Sequence, residues 1–227
     1  MLSHRVKVVQ TLLNHIKSPV YLEIGVEFGR CFSRITATRK IAVDPNFRMS
    51  RRRKAISESK AVYTHFFEAR SDDFFAQNET LLTQNPINVA FVDGLHTYQQ
   101  SLRDIENILR YMQDGGVIVM HDCNPKRESF GYPAKDYEDF RKKHPFRISW
   151  SGDVWKAIVS LRATRSDLNV AVLDCDWGIG LIKQGPAESR LDYSPQEIEN
   201  LSYADLARNR TQLLNLKPAD YFQQFIA

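Results

Sequence analysis

Long apolar runs are missing from this chain of 227 residues. No stretch approaches the roughly 20 residues that span a bilayer, so no membrane partner is expected. Cysteine is scarce as well: Cys31, Cys123 and Cys175 are widely spaced and form no C-x-x-C pair. Without an export signal, that usage points to reduced thiols and a cytoplasmic location. A charge excess of one sign is also lacking, because the net charge of +4 is mild and asks for no nucleic-acid partner. Repeats, low-complexity tracts and a clear interdomain linker are absent, which leaves one domain of ordinary α/β size. Glycine is sparse, and none of it forms the G-x-G-x-x-G loop of a dinucleotide site.

What is present begins with VYLEIGVEFG at residues 20–29, an apolar run that ends in a glycine-punctuated turn. Followed by FSRITA, it reads as strand, loop, helix, a junction that places ligands at the carboxyl ends of parallel strands. In a dinucleotide loop the middle glycine lets the backbone approach a pyrophosphate. Glu27 occupies that position here and Arg30 the last one. A carboxylate would repel pyrophosphate and sit without penalty beside a cationic sulfonium, which favours S-adenosylmethionine over a nicotinamide cofactor. The spacing alone also fits a plain strand-to-helix turn.

Strand patterns recur at VYLEI, KIAVD, AVYTHF, INVAFVD and GVIVMHD, alternating with helical patterns. That alternation predicts a doubly wound, Rossmann-like α/β fold, mostly parallel and with helices on both faces. Val6, Val9, Leu13 and Ile16 mark an amphipathic N-terminal helix. The basic run Arg51–Lys54 reads as a solvated helix face. Between His96 and Met112 the stripe Tyr98, Leu102, Ile105, Leu109 and Met112 is assigned to the core, with Arg103, Asp104, Glu106 and Arg110 turned outward. Residues 124–152 form a long excursion with at most one short helix, a lid-like insertion. After a helix through VWKAIVSLRA, NVAVLDCDWGIGLIKQG predicts an antiparallel hairpin that completes seven strands. The expected organisation is a domain over 1–185 and a helical tail over 186–227, packed on the domain or on a second copy in a homodimer.

Chemistry-bearing residues gather at strand ends. Asp44 closes the second strand, where an acidic side chain can accept ribose hydroxyls or instead cap a turn. Ser71 and Asp72 follow the third strand, placed either to reach an adenine edge or to cap a helix. Asp93 closes the fourth strand, and His96 stands three residues on at the start of a helix. The positive helix end disfavours the imidazolium there, leaving a neutral base. Asp122 ends the fifth strand, so Asp93 and Asp122 form a carboxylate pair that could hold Mg²⁺. Asn124 is a possible further oxygen ligand, and His121 fits a hydrogen-bonded strand-end histidine.

Taken together, LEIGVEFG, AVDP, FVDGLHTY, GGVIVMHDC, GDVWKAIVSLR and DCDWGIGLI resemble class I S-adenosylmethionine-dependent methyltransferases over about residues 18 to 185. Within that class they resemble the bacterial small-molecule O-methyltransferase group that includes macrocin-type sugar methyltransferases. The resemblance implies that Gly25 and Gly29 line the methionine side, that Asp44 binds ribose and that Asp93 lies near the transferring methyl. The cofactor-binding candidates are therefore Glu23, Gly25, Gly29, Asp44, Ser71, Asp72 and Asp93, and the metal candidates are Asp93 and Asp122. His96 stands where catechol-type relatives carry a general-base lysine, and Cys123 stands where metal-dependent relatives carry a further Asp or Asn.

The expected activity is O-methylation of a small hydroxylated acceptor such as a sugar unit, with His96 as base. Tyr132, Tyr137, Trp150, Asp153, Trp155 and Lys156 are expected to shape the acceptor pocket. Two other readings stay open: a nicotinamide-dependent oxidoreductase, opposed by Glu27, and a non-catalytic nucleoside-binding protein that keeps the fold.

Overall fold

A computed structural model describes residues 4–226. In chain order the elements are α1 (His4–Asn14), β1 (Val20–Ile24), β2 (Arg39–Asp44), α2 (Arg51–Glu58), β3 (Tyr63–Glu68), α3 (Ser71–Gln77), α4 (Glu79–Gln84), β4 (Ile87–Val92), α5 (Tyr98–Leu109) and β5 (Met112–Met120). They continue with α6 (Tyr137–Lys143), α7 (Trp155–Thr164), β6 (Leu168–Leu173), β7 (Ile179–Gln184), α8 (Pro195–Asn200), α9 (Tyr203–Leu214), β8 (Leu216–Lys217) and α10 (Phe222–Ile226). The chain clusters into two compact units, Met1–Gly94 with Arg103–Val119 and Leu95–Leu102 with Met120–Ala227. No helix among the described residues is long and apolar enough to cross a membrane.

The first unit is built on the strand order β3-β2-β1-β4-β5. β1 pairs in parallel with β2 and with β4, and β2 pairs in parallel with β3. Leu22, Ile41, Ala42, Val89 and Ala90 on these strands are almost fully buried, which explains their near-continuous apolar sequences. The chain winds outward from β1 to β3 and then returns to lay β4 on the other side of β1. That reversal is a topological switch point, and ligands of open α/β sheets bind just beyond the strand ends there.

Two local expectations change. The segment after the β1 loop forms only a 3₁₀ turn at Phe32–Arg34, not an α-helix. Nine residues separate Gly29 from Arg39 at the start of β2, too few for a full crossover helix and its return. In α5, Asp104 was assigned to the outer face, yet it is 1 % exposed, because Ser71 in the first turn of α3 donates to its carboxylate at 2.6 Å. The buried stripe of that helix runs through Ser101, Asp104, Ile105 and Ile108. A short hydroxyl contact outweighs the polarity that the periodicity alone reads.

In the second unit the strand order is β7-β6-β8. The expected hairpin is present: β6 and β7 are antiparallel, from Leu168 opposite Gln184 to Leu173 opposite Ile179. Every residue of α7 from Trp155 to Ala163 is buried. The described strands number eight, not seven, because Leu216–Lys217 in the tail pairs in parallel with Val172–Leu173 at the β6 edge. Two residues ahead of a proline carry no strand period, so the sequence could not announce β8. Arg162 fastens the tail by donating to the carbonyls of Gln212 and Leu213.

Candidate active site

Within the first unit, the end of β1 turns on Gly25, whose φ is +84° and whose N–H donates to the Val43 carbonyl at 2.9 Å. A Cβ at Gly25 would lie 2.0 Å from the Asp93 carbonyl oxygen, so only glycine fits where β1 and β4 converge. The loop closes with the Gly29 N–H on the Val26 carbonyl at 2.6 Å. Glu27 itself has a φ of +43°, and its carboxylate meets Arg48 at 3.2 Å. A left-handed glutamate is uncommon, and such strain concentrates at functional loops.

Asp44 ties this loop to the end of β2. Its two carboxylate oxygens accept the N–H groups of Glu27 at 2.8 Å and Asn46 at 2.7 Å. Each oxygen retains a second lone pair, so the residue can still accept ribose hydroxyls. Asp93 at the end of β4 donates its N–H to the Ile24 carbonyl at 2.9 Å and pairs through its carboxylate with Arg5 at 3.3 Å.

Glu23 lies elsewhere in the strand, 1 % exposed, with the Tyr21 hydroxyl donating to it. Burial, followed by the neighbouring Asp93 charge, pushes its carboxyl up to about 8. Lys40, also buried, donates to the Phe32 and Ser57 carbonyls, and burial lowers its ammonium to about 8. Ser71 and Asp72 both engage α5, Ser71 on Asp104 and Asp72 on Arg103 at 3.5 Å.

Within the second unit the central residue is His96. Its Nδ1 lies 2.6 Å from the Trp150 carbonyl oxygen, and its ring packs against the Trp150 indole at 5.4 Å. A carbonyl can only accept, so Nδ1 carries the hydrogen and any exchange of a proton falls to Nε2. Nε2 faces the Asp122 carboxylate at 3.5 Å. That carboxylate is fixed by the Ser151 hydroxyl at 2.7 Å and by His121 Nδ1 at 3.0 Å, and Asp122 has a φ of +60°. The helix end expected to govern His96 is thus joined by a carboxylate neighbour at Nε2.

Sequence reasoning missed how the four residues Trp150–Asp153 work as a unit. Trp150 holds Nδ1, Ser151 holds Asp122, and Gly152, with φ +60°, comes so close that a Cβ there would lie 1.8 Å from the His96 carbonyl oxygen. Asp153 accepts the Tyr98 N–H at 2.8 Å and so caps α5 directly after His96. The sequence alone assigns Trp150 and Asp153 only to the walls of a pocket. The glycine in SWSGD was the one available signal. Asn124 is fully buried and donates to Asp174 at 2.9 Å while accepting from Arg210.

Residues 22–123 match a family model described as a methyltransferase domain. Over that span the chain is similar to a methyltransferase domain. No curated protein matches the sequence. Among solved structures, the chain is similar to an O-methyltransferase from Bacillus cereus in complex with SAH, at 14% identity and a TM-score of 0.54, covering 81% of this chain and 82% of that one. It is similar to cofactor-bound Rv0187 from MTB, at 14% identity and a TM-score of 0.55, covering 81% of each chain. A third likeness is to apo CalS11, a TDP-rhamnose 3'-O-methyltransferase of calicheamicin biosynthesis, at 12% identity and a TM-score of 0.51, covering 79% and 77%. At such identities the likeness speaks for the methyltransferase fold. The matched span runs from Leu22 within β1 through Cys123, whereas Trp150–Asp153 lies beyond it.

Proposed function

We propose that this methyltransferase moves a methyl group from S-adenosylmethionine to a hydroxyl of a small acceptor such as a sugar unit, with His96 as the general base. The observation that carries the reading is the fixed tautomer of His96, with Nδ1 on the Trp150 carbonyl and Nε2 left to take a proton beside Asp122.

S-adenosylmethionine supplies the methyl group on a sulfonium that leaves as a neutral thioether. The residues at the switch point suit it. Gly25 and Gly29 put no side chain at the two turns of the loop, and Asp44 has lone pairs for the ribose. In the reaction the acceptor oxygen forms a bond to the methyl carbon, the carbon–sulfur bond breaks with its electron pair passing to sulfur, and the hydroxyl proton goes to Nε2 of His96. The Trp150 carbonyl on Nδ1 orients the ring, as the aspartate does in a hydrolase triad, and Asp122 beside Nε2 then receives the new imidazolium N–H. Removing the proton and aligning the reactants are the two contributions required of the protein.

Asp93 and Asp122, at the ends of the neighbouring strands β4 and β5, would hold Mg²⁺ if the reaction uses it. The ion would polarise the acceptor hydroxyl, and it would compete with Arg5 for Asp93.

S-adenosylhomocysteine at about 100 times its dissociation constant is expected to stabilise the protein by roughly 2.7 kcal/mol, whereas NADH should leave its melting temperature unchanged. The reverse order would return the nicotinamide reading. His96→Ala is expected to lower turnover by about a hundredfold or more with S-adenosylhomocysteine affinity unchanged in calorimetry. Retained turnover on the true acceptor would remove His96 as the base.

A further inference from the structure

The lid carries two of the most exposed apolar side chains in the protein, Phe146 at 97% and Ile148 at 81%. They are held in place. The Arg147 N–H donates to the His144 carbonyl at 3.0 Å, which closes a turn with Pro145 and Phe146 at its tip. The Arg141 guanidinium donates to the Arg147 carbonyl at 2.9 Å, and the Tyr137 hydroxyl donates to the Ile148 carbonyl at 3.3 Å. Behind this turn Phe140 stacks on Trp150 with ring centres 5.7 Å apart, in a small core with Ala134 and Tyr132. The phenyl ring is thus presented outward on a braced base.

Cations surround the tip. From Arg141 to Trp150 the sequence RKKHPFRISW holds Arg141, Lys142, Lys143 and Arg147 and no acidic residue, and Lys142, Lys143 and Arg147 are exposed. The nearest acids in sequence lie in and before the first turn of α6: Asp136 accepts the Asp139 N–H, Asp139 accepts the Lys135 N–H, and Glu138 between them is exposed, one acid against the three exposed cations.

We infer that this turn docks the protein on an anionic membrane surface, with Phe146 and Ile148 entering the interface and Lys142, Lys143 and Arg147 contacting lipid phosphates. Two apolar side chains are far short of the roughly 800 Å² per partner of a stable protein interface, but they suffice at a bilayer surface. Burying one phenyl group raises partitioning on the order of thirtyfold, and each cation near an anionic surface adds about fivefold. No spanning segment is needed for such contact, so the lack of long apolar runs does not oppose it.

The test is co-sedimentation of the full chain with vesicles of phosphatidylcholine containing phosphatidylglycerol, against vesicles of phosphatidylcholine alone. Binding is expected to the anionic vesicles, to fall at least about tenfold in Phe146→Ser/Ile148→Ser, and to fall comparably in Lys142→Glu/Lys143→Glu. All four positions are exposed, and unchanged melting temperatures will confirm that the variants fold. No binding to anionic vesicles overturns the inference, as does equal binding by the apolar double variant. A dimer in sedimentation equilibrium that the same double substitution dissolves would assign the turn to a second copy instead and would also overturn it. None of these results bears on the assignment of His96.

Discussion

Glu23 and Lys40 are charged residue types held inside a parallel sheet, and their titration should be visible in stability. An unfolded Glu23 ionises near 4.5, whereas the folded one keeps its proton up to about 8. Across that window the unfolded chain releases more protons, so the stabilisation present at acid pH is lost as pH rises, by up to about 1.4 kcal/mol per unit. Lys40 runs the other way. Its folded value of about 8 lies below the ordinary 10.5, so stability lost on falling through that range returns as pH climbs above about 8. The pair therefore predicts a stability minimum near pH 8. Glu23→Gln, which keeps an acceptor for Tyr21, should erase the descending limb and leave the variant a few kcal/mol more stable than the parent at pH 8. Urea midpoints measured from pH 5 to 10 check this, and parallel curves for the two proteins would refute it. Such burial is invisible in the sequence, where Glu23 reads as an ordinary strand-end acid.

At the scale of elements, strands were more legible than loops. Val20–Ile24 and Ile87–Val92 are found where their apolar runs placed them, because a strand buried on both faces writes its burial into consecutive residues. The helix expected after the first loop is only a 3₁₀ turn, since connection length overrides local pattern. α5 shows a different limit: its cap is Asp153, 55 residues away in sequence. Asp153→Ala should remove that cap at a cost of about 1 kcal/mol and lower the melting temperature by about 2–4 °C. Gly152→Ala should lower both the melting temperature and turnover, because the added methyl meets the His96 backbone carbonyl at a φ of +60° and must displace the segment that carries the imidazole. Steady-state kinetics that show a raised KM at unchanged kcat would place Gly152 in acceptor binding instead.

For the molecule as a whole, the carboxylates of Asp93 and Asp122 predict a turnover that depends on a cation. Chelation with EDTA is expected to lower turnover and added Mg²⁺ to restore it. Arg5→Ala should tighten Mg²⁺ binding in calorimetry, because the guanidinium now beside Asp93 would no longer compete. Full activity in EDTA with no heat of Mg²⁺ binding would take the metal out of the reaction.

By itself the sequence determined the alternation of strands and helices, the glycine turn after the first strand, and the placing of Asp44, Asp93, His96 and Asp122 at or just past strand ends. Each of these follows from local periodicity or from a residue type at a chain position. Only the tertiary structure decided which nitrogen of His96 a backbone carbonyl holds, that Asp122 faces the other, that Arg5 meets Asp93, and that an eighth strand borders β6. The physical reason is that those choices are made by backbone carbonyls and by side chains up to 88 residues away in the chain. A carbonyl is the same in every residue, and long-range proximity leaves no period to read.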